Sequence, residues 1–292
     1  MRRTPAILLV ACTGIVGVLD TPAHGDLVAY EGFDYGPLGS DLLGGNGGLG
    51  FSGAWRPGGF NASISTNFDV VYDPLTFGSL VSTEPAIRTL ADLAITGITR
   101  DLAQPLGLGG TTIYISFLIQ PEGLLHLGAA NGFLGVVLES PGEPELFVGK
   151  PGGGMIDRFV LEDRGGSRQT ASNLEVMSRA TAFLVIKAEF AAAGNDRFTL
   201  YTNPTPGAAE PLTGTVKNDS NVGTVVGLTL YSTGAMRLDE LRVGDTFADV
   251  TPIVPEPAGL VLLSLAVAAL AVVRRAAMTP TFSRGSGSWA AS

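Results

Sequence analysis

The sequence predicts an all-β protein, an antiparallel β-sandwich flanked by an N-terminal signal peptide and one C-terminal transmembrane helix. Three observations point there. Short runs rich in β-branched and aromatic residues recur along residues 26–253, turn residues separate them, and no amphipathic helical periodicity interrupts them. The composition agrees, with 40 glycines among 292 residues, 15% charged residues and a hydrophobic fraction of 45%. Such a chain is rich in tight turns and still apolar enough to build a core. A net charge of −9 excludes the basic footprint that nucleic-acid binding requires.

Residues 1–25 read as the signal peptide. Arg2 and Arg3 precede an uncharged apolar run from Pro5 to Leu19, and Ala23-His24-Gly25 offers small residues for cleavage before Asp26. Cys12 stands early in that run with further apolar residues behind it, so no lipid anchor is expected there.

Residues 26–253 read as the ectodomain. The expected strands are Phe68 to Tyr72, Thr111 to Gln120, Phe133 to Glu139, Arg158 to Glu162, Ala182 to Phe190, Arg197 to Thr202, Val222 to Tyr231 and Met236 to Val243. Pro141-Gly142, Pro151-Gly152-Gly153-Gly154, Gly194-Asn195-Asp196 and Asn203-Pro204-Thr205-Pro206-Gly207 lie between them, where Gly and Asn supply the positive φ of tight turns.

Residues 254–275 form the second address. Val254-Pro255-Glu256-Pro257 leads into the uncharged stretch 258–273 and then Arg274-Arg275. As a helix that stretch rises about 24 Å, close to a hydrocarbon core of about 30 Å. Only Ser264 is polar in it, which favours a membrane span over an amphipathic core helix. The arginines place the far end in the cytoplasm and residues 26–253 outside. Residues 276–292, rich in Ser, Gly and Ala, read as a disordered cytoplasmic tail.

Pro255-Glu256-Pro257, the short apolar span and Arg274-Arg275, in that order, resemble a PEP-CTERM sorting signal. The resemblance implies an exported bacterial cell-surface or extracellular-matrix protein, with an exosortase-type sorting enzyme as its partner. Pro255, Glu256 and Pro257 match the recognition motif, and Arg274 and Arg275 match the basic stop. The family pattern ends soon after the arginines, so the 17 residues of the tail depart from it. A second resemblance rests on Tyr30 to Tyr35, the glycine-rich stretch 45–50 with Trp55, Phe183 to Lys187, Asp196 to Pro204, and Leu238 to Gly244. Together these are similar to concanavalin A-like (laminin-G-like) jelly rolls. That fold implies two curved antiparallel sheets with the first and last strands close together. It does not fix a function, because it hosts lectins, glycosidases and structural modules.

The residue inventory removes several chemistries. Residues 26–253 contain no cysteine and a single histidine, His126, which leaves no thiol nucleophile, no disulfide and no Cys/His zinc site. Gly45-Asn46-Gly47-Gly48-Leu49-Gly50 satisfies G-x-G-x-x-G, but Ser52-Gly53-Ala54-Trp55-Arg56-Pro57 after it cannot open the helix a dinucleotide site needs. Glycosidases require a carboxylate pair on one face. Asp239 and Glu240 are adjacent, as are Glu162 and Asp163, so strand alternation predicts opposite faces for each pair; Glu143 and Glu145 fall in a turn. For carbohydrate, Trp55 is the candidate contact, with Tyr35, Tyr72 and Tyr201 behind it. Asp34, Asp41 and Asn46 are candidate calcium ligands in loops; no other cofactor is expected. The first reading is a non-enzymatic exported protein, membrane-anchored and sorted to the cell surface or matrix. The alternative is a lectin-like module for extracellular polysaccharide, with a glycoside hydrolase behind both.

Overall fold

The computed structural model describes residues 27–253, apart from 59–66, 84, 90–94, 127–131, 143 and 154–155. The signal peptide, Pro255, Glu256, Pro257, the span 258–273, Arg274, Arg275, the tail and Glu143 lie outside the described residues. Among the described residues no helix is long and apolar enough to cross a membrane.

The chain forms two antiparallel sheets. The larger contains β1 (Leu27–Glu31), β3 (Phe68–Val71), β4 (Ala86–Thr89), β6 (Thr112–Pro121), β11 (Ala182–Glu189), β12 (Asp196–Thr202), β13 (Thr215–Ser220) and β15 (Met236–Gly244). Its order is β13-β12-β11-β6-β15-β4-β3, with β1 also paired to β15. The smaller contains β2 (Phe51–Pro57), β5 (Thr96–Leu106), β7 (Leu134–Glu139), β8 (Leu146–Lys150), β9 (Arg158–Asp163), β10 (Ser167–Glu175) and β14 (Val225–Ser232). Its order is β10-β9-β8-β7-β14-β5-β2. The first strand therefore lies beside the last, with Glu31 opposite Leu241 and Leu27 opposite Gly244.

Alternation explains why the sheets stack. Ile113, Ile115, Phe117 and Ile119 of β6, with Leu184 and Ile186 of β11, face Val136 and Leu138 of β7 and Leu228 and Leu230 of β14 in one shared core. Each such side chain contributes roughly 1.5–3 kcal/mol by leaving water. One edge between the sheets is closed by charge. Lys217 of β13 is fully buried, its Nζ 3.3 Å from Asp163 Oδ1 of β9, and Ser220 also donates to Asp163.

The outer face of the larger sheet is covered by the chain itself. Leu75 and Leu80 from one segment and Phe247 and Val250 from another pack on Tyr114, Leu118, Phe183, Val185 and Tyr201. The loop after β12 is pinned there by Glu210, which accepts hydrogen bonds from Tyr201 Oη at 2.6 Å and Tyr114 Oη at 2.8 Å. Lys187 Nζ adds an ion pair to Glu210 at 3.1 Å. Burial opposes ionisation of Glu210, but these three donors outweigh it and hold the carboxyl below its ordinary range.

The expected alternation fails at one place. A β-bulge in β15 between Asp239 and Arg242, with Glu240 at φ 53°, puts both acids on the same covered side of the sheet. Asp239 Oδ2 accepts from Leu75 N–H at 2.9 Å, and Glu240 accepts from Thr83 and from Tyr30 Oη. Both carboxylates are completely buried and hold the covering loop, not a substrate. Glu162 and Asp163 do face opposite ways, as expected.

Candidate functional site: a cleft on the outer face of the smaller sheet

Residues of the smaller sheet that point away from the shared core form a second apolar cluster. Val137 of β7, Phe147 of β8, Val160 of β9 and Tyr231 of β14 join Phe133, with Ile95 and Ile156 packed against them. The period-2 geometry of a strand accounts for this, since Val136, Val148, Leu161 and Leu230, one residue away in each strand, face the core. The rings interlock: Phe133 and Tyr231 centroids lie 4.6 Å apart, and Phe133 meets Phe147 edge-on at 6.5 Å.

The cleft above this cluster has a volume of about 610 Å³. That lies within the range of about 300–1,000 Å³ found for small-ligand sites. Two glycines let its floor form. Gly135 and Gly149 are cross-strand partners in β7 and β8, and a Cβ on Gly135 would lie 2.9 Å from the Phe147 ring and 2.3 Å from Val148 O. A Cβ on Gly149 would lie 2.1 Å from Leu134 O. Only glycine permits that approach of the two backbones and leaves Phe147 lying across them.

The polar rim comes from β9, β10 and the turn between them: Glu162, Arg164, Gly165, Gly166 and Gln169. Gln169 Nε2 donates to Glu162 Oε2 at 2.6 Å. Burial pushes the Glu162 carboxyl above its ordinary range, opposed by the Gln169 hydrogen bond and reinforced by the charge of Asp163. Arg164 is occupied. Its Nη1 bonds Glu145 Oε2, lies 3.9 Å from Glu139 Oε1, and its guanidinium sits 5.2 Å from the Tyr231 ring centre. Burial likewise raises the Tyr231 phenol, with Arg164 opposing. Hydrophobic walls with an amide, a carboxylic group and a few backbone groups at one end can hold a ligand that has an apolar face and several hydroxyls. Glu162 is the one carboxylate among the described lining residues.

The residues singled out from the sequence lie elsewhere. Trp55 is corrected: it is 1% exposed, stacked on Phe33 at 6.3 Å and tilted against Phe51, with its Nε1–H donated to Glu31 Oε2 at 3.2 Å. An indole enclosed this way has no face for a sugar. The segment around it, which the sequence showed could not open a helix, is strand β2, paired with β5 through Phe51, Ser52, Arg56 and Pro57. Tyr35 donates to Glu31 and Tyr201 to Glu210, so both hold structure, whereas Tyr72 is 59% exposed. Asn46 Oδ1 accepts from Arg100 Nη2 at 3.1 Å and Asp41 Oδ1 from Leu43 N–H at 2.9 Å, so these two candidate calcium ligands hold the chain itself. Among the described residues no group of three His, Cys, Asp or Glu is placed to hold a metal ion. His126 Nε2 lies 3.2 Å from Asp157 Oδ2 at one end of the sheet. The residues that do line the cleft come from four strands, β8, β9, β10 and β14, and the segments flanking them, and no local spacing in the sequence brings them together.

No family model matches the chain, and no curated protein matches it either. Solved structures with a similar arrangement include an endo-β-1,4-glucuronan lyase from the fungus Trichoderma reesei, at 12% identity and TM-score 0.36 over 67% of this chain and 96% of that one. A carbohydrate-binding module, CBM66 from Bacillus subtilis, matches at 11% identity and TM-score 0.36, over 64% of this chain and 99% of that one. An engineered GH43 glycoside hydrolase matches at 18% identity and TM-score 0.41, over 74% of this chain and 42% of that one.

Proposed function

We propose that residues 27–253 are a non-catalytic saccharide-binding module of an exported protein, with the cleft on β7, β8, β9, β10 and β14 as its site. One observation carries this reading: a ligand-sized cleft whose apolar floor of Phe133, Phe147 and Tyr231 meets the hydrogen-bonding pair Glu162 and Gln169 at one end. Sugars present the matching surface, an apolar ring face edged by hydroxyls. The single carboxylate in the described lining suits binding, since two-carboxylate hydrolysis needs a partner at about 5–5.5 Å or more.

Export and sorting belong to the same proposal and rest on the two ends of the sequence. The signal peptide delivers the module across the membrane, 258–273 anchors it, and Pro255-Glu256-Pro257 presents it to a sorting enzyme. Intact-mass analysis of cell fractions tests that half: a species running from near Asp26 to 254–257 is expected, and a chain keeping residues 1–25 in every fraction contradicts it.

Affinity electrophoresis through gels containing neutral polysaccharides tests the binding half. Wild-type protein is expected to be retarded, and Ile156→Trp, which places an indole into the cleft from its half-buried wall, to migrate freely. Tyr72→Ala, on an exposed ring outside the cleft, is expected to behave as wild type. Unchanged retardation of Ile156→Trp moves the site elsewhere.

A further inference from the structure

We infer that the cleft selects uncharged saccharides and rejects those carrying carboxylates, with Glu162 as the residue that sets the selection. The inference rests on the saccharide-binding reading and adds the ligand's charge class to it. Recognition of a uronic acid calls for a cation facing the ligand, ideally an arginine fork offered to the carboxylate. Arg164 is the one cation in the described lining, and its Nη1 is held by Glu145 with Glu139 3.9 Å away. Its guanidinium also lies 5.2 Å from the Tyr231 ring centre. Lys150, at the end of β8 next to the cleft loop, is completely buried and donates to Gly132 O at 3.1 Å and Pro151 O at 3.3 Å.

The charge around the cleft is therefore negative. Glu139 and Glu145 balance Arg164 and Lys150, and Glu162 adds a third carboxyl group, 5% exposed, whose hydrogen-bond partner is the neutral amide of Gln169. A ligand carboxylate brought beside Glu162 would have to shed water and meet a like charge, or force that group to stay protonated. Sugar hydroxyls meet neither penalty. They donate to the Glu162 oxygens and exchange hydrogen bonds with the Gln169 amide, whose Nε2 already aligns the pair at 2.6 Å. The overall net charge of −9 adds a long-range repulsion of the same sign.

The test uses matched ligands and the purified full-length protein. An array carries neutral oligosaccharides, namely β-1,4-glucan, β-1,4-mannan and α-1,4-galactan, beside their C6-carboxylate counterparts glucuronan, mannuronan and polygalacturonate. The inference predicts that the strongest neutral ligand binds at least tenfold tighter than its own uronate. Glu162→Gln, which keeps the shape and a hydrogen-bonding oxygen, is expected to narrow the ratio of neutral to uronate affinity at least threefold, whatever it does to the neutral affinity itself. Equal or tighter uronate binding by wild type overturns the inference and leaves the saccharide-binding reading standing. A wild-type preference that Glu162→Gln does not alter overturns the role of Glu162. Retention of no ligand of either class overturns both the inference and the reading beneath it.

Discussion

Replacing Glu31 with Gln removes the charge at the centre of a fully buried ion pair in the sandwich. Glu31 is 1% exposed, and its carboxylate accepts from Phe33 N–H at 2.8 Å, Tyr35 Oη at 2.5 Å, Trp55 Nε1 at 3.2 Å and Arg100 Nη1 at 2.6 Å. Arg100, also 1% exposed, continues to Gly53 O, Asn46 Oδ1 and Gly47 O, tying the glycine-rich segment to β5. Glu31→Gln leaves that guanidinium buried without its counter-charge, which costs about 3–5 kcal/mol. A domain of this kind is stable by about 5–15 kcal/mol in all, so the loss is a large share. The comparison is Asp101→Asn, which breaks an ion pair to Arg56 at 2.6 Å whose side chains are 52% and 48% exposed. Solvent screening limits that pair to about 0–1 kcal/mol. Urea unfolding of residues 26–253, followed by far-ultraviolet circular dichroism, measures both. The reasoning also expects Glu31→Leu with Arg100→Met to recover much of the loss, since an apolar pair strands no charge. A Glu31→Gln cost below about 1 kcal/mol, or an equal cost for Asp101→Asn, refutes it.

Trp55→Ala is expected to destabilise the domain by about 3–5 kcal/mol, with any loss of saccharide binding tracking loss of folded protein in the same thermal melt. Gly50→Ala places a Cβ 2.0 Å from Val28 O at φ 76°, so a loss of about 2 kcal/mol or more is expected in urea unfolding, against near-neutrality at an open surface position. Glu210 is held below its ordinary range in the fold, so its contribution is present above the unfolded value of about 4.3 and lost as pH falls through the folded one. Thermal melts in acid are expected to fall more steeply for wild type than for Glu210→Gln. Burial and the neighbouring Glu240 push Asp239 up to about 8, so between about pH 4 and about 8 the fold holds a proton that the unfolded chain releases, and stability falls as pH rises through that window. The melting temperature of Asp239→Ala is expected to depend less on pH across that window than that of wild type.

Eight of the fifteen strands in the described residues were legible in the sequence, whereas β1, β2, β4, β5, β8, β10 and β13 were not, although β8 (LFVGK) is largely apolar. Thr111 to Gln120 and Ala182 to Phe190 coincide with β6 and β11 to within a residue or two because their β-branched runs are central and buried. β10 (SRQTASNLE) and β13 (TVKNDS) were missed because they are edge strands whose polar side chains bond across the edge, as Lys217 does to Asp163. β2 was hidden by Gly53 and Pro57, residues that ordinarily mark turns. Reading Asp239 and Glu240 as opposite-facing assumed regular alternation, which the bulge at Glu240 breaks. The absence of helix between 26 and 253 and the adjacency of first and last strands agree with the described residues. The cleft was not legible, because Phe133, Phe147, Glu162, Gln169 and Tyr231 meet only through strand order. The one local signal is the glycine inside each of two apolar strands, Gly135 and Gly149, which marks close backbone approach.

The central claim is that a saccharide sits on the outer face of the smaller sheet. Intermolecular nuclear Overhauser effects between a bound neutral oligosaccharide and assigned side chains of the protein locate it directly. The account predicts cross-peaks from sugar ring protons to the Ile95 and Ile156 methyls and to the Phe147 and Tyr231 rings. Cross-peaks confined to Val216 of β13, in the larger sheet, and Leu212 in the loop before it would contradict it.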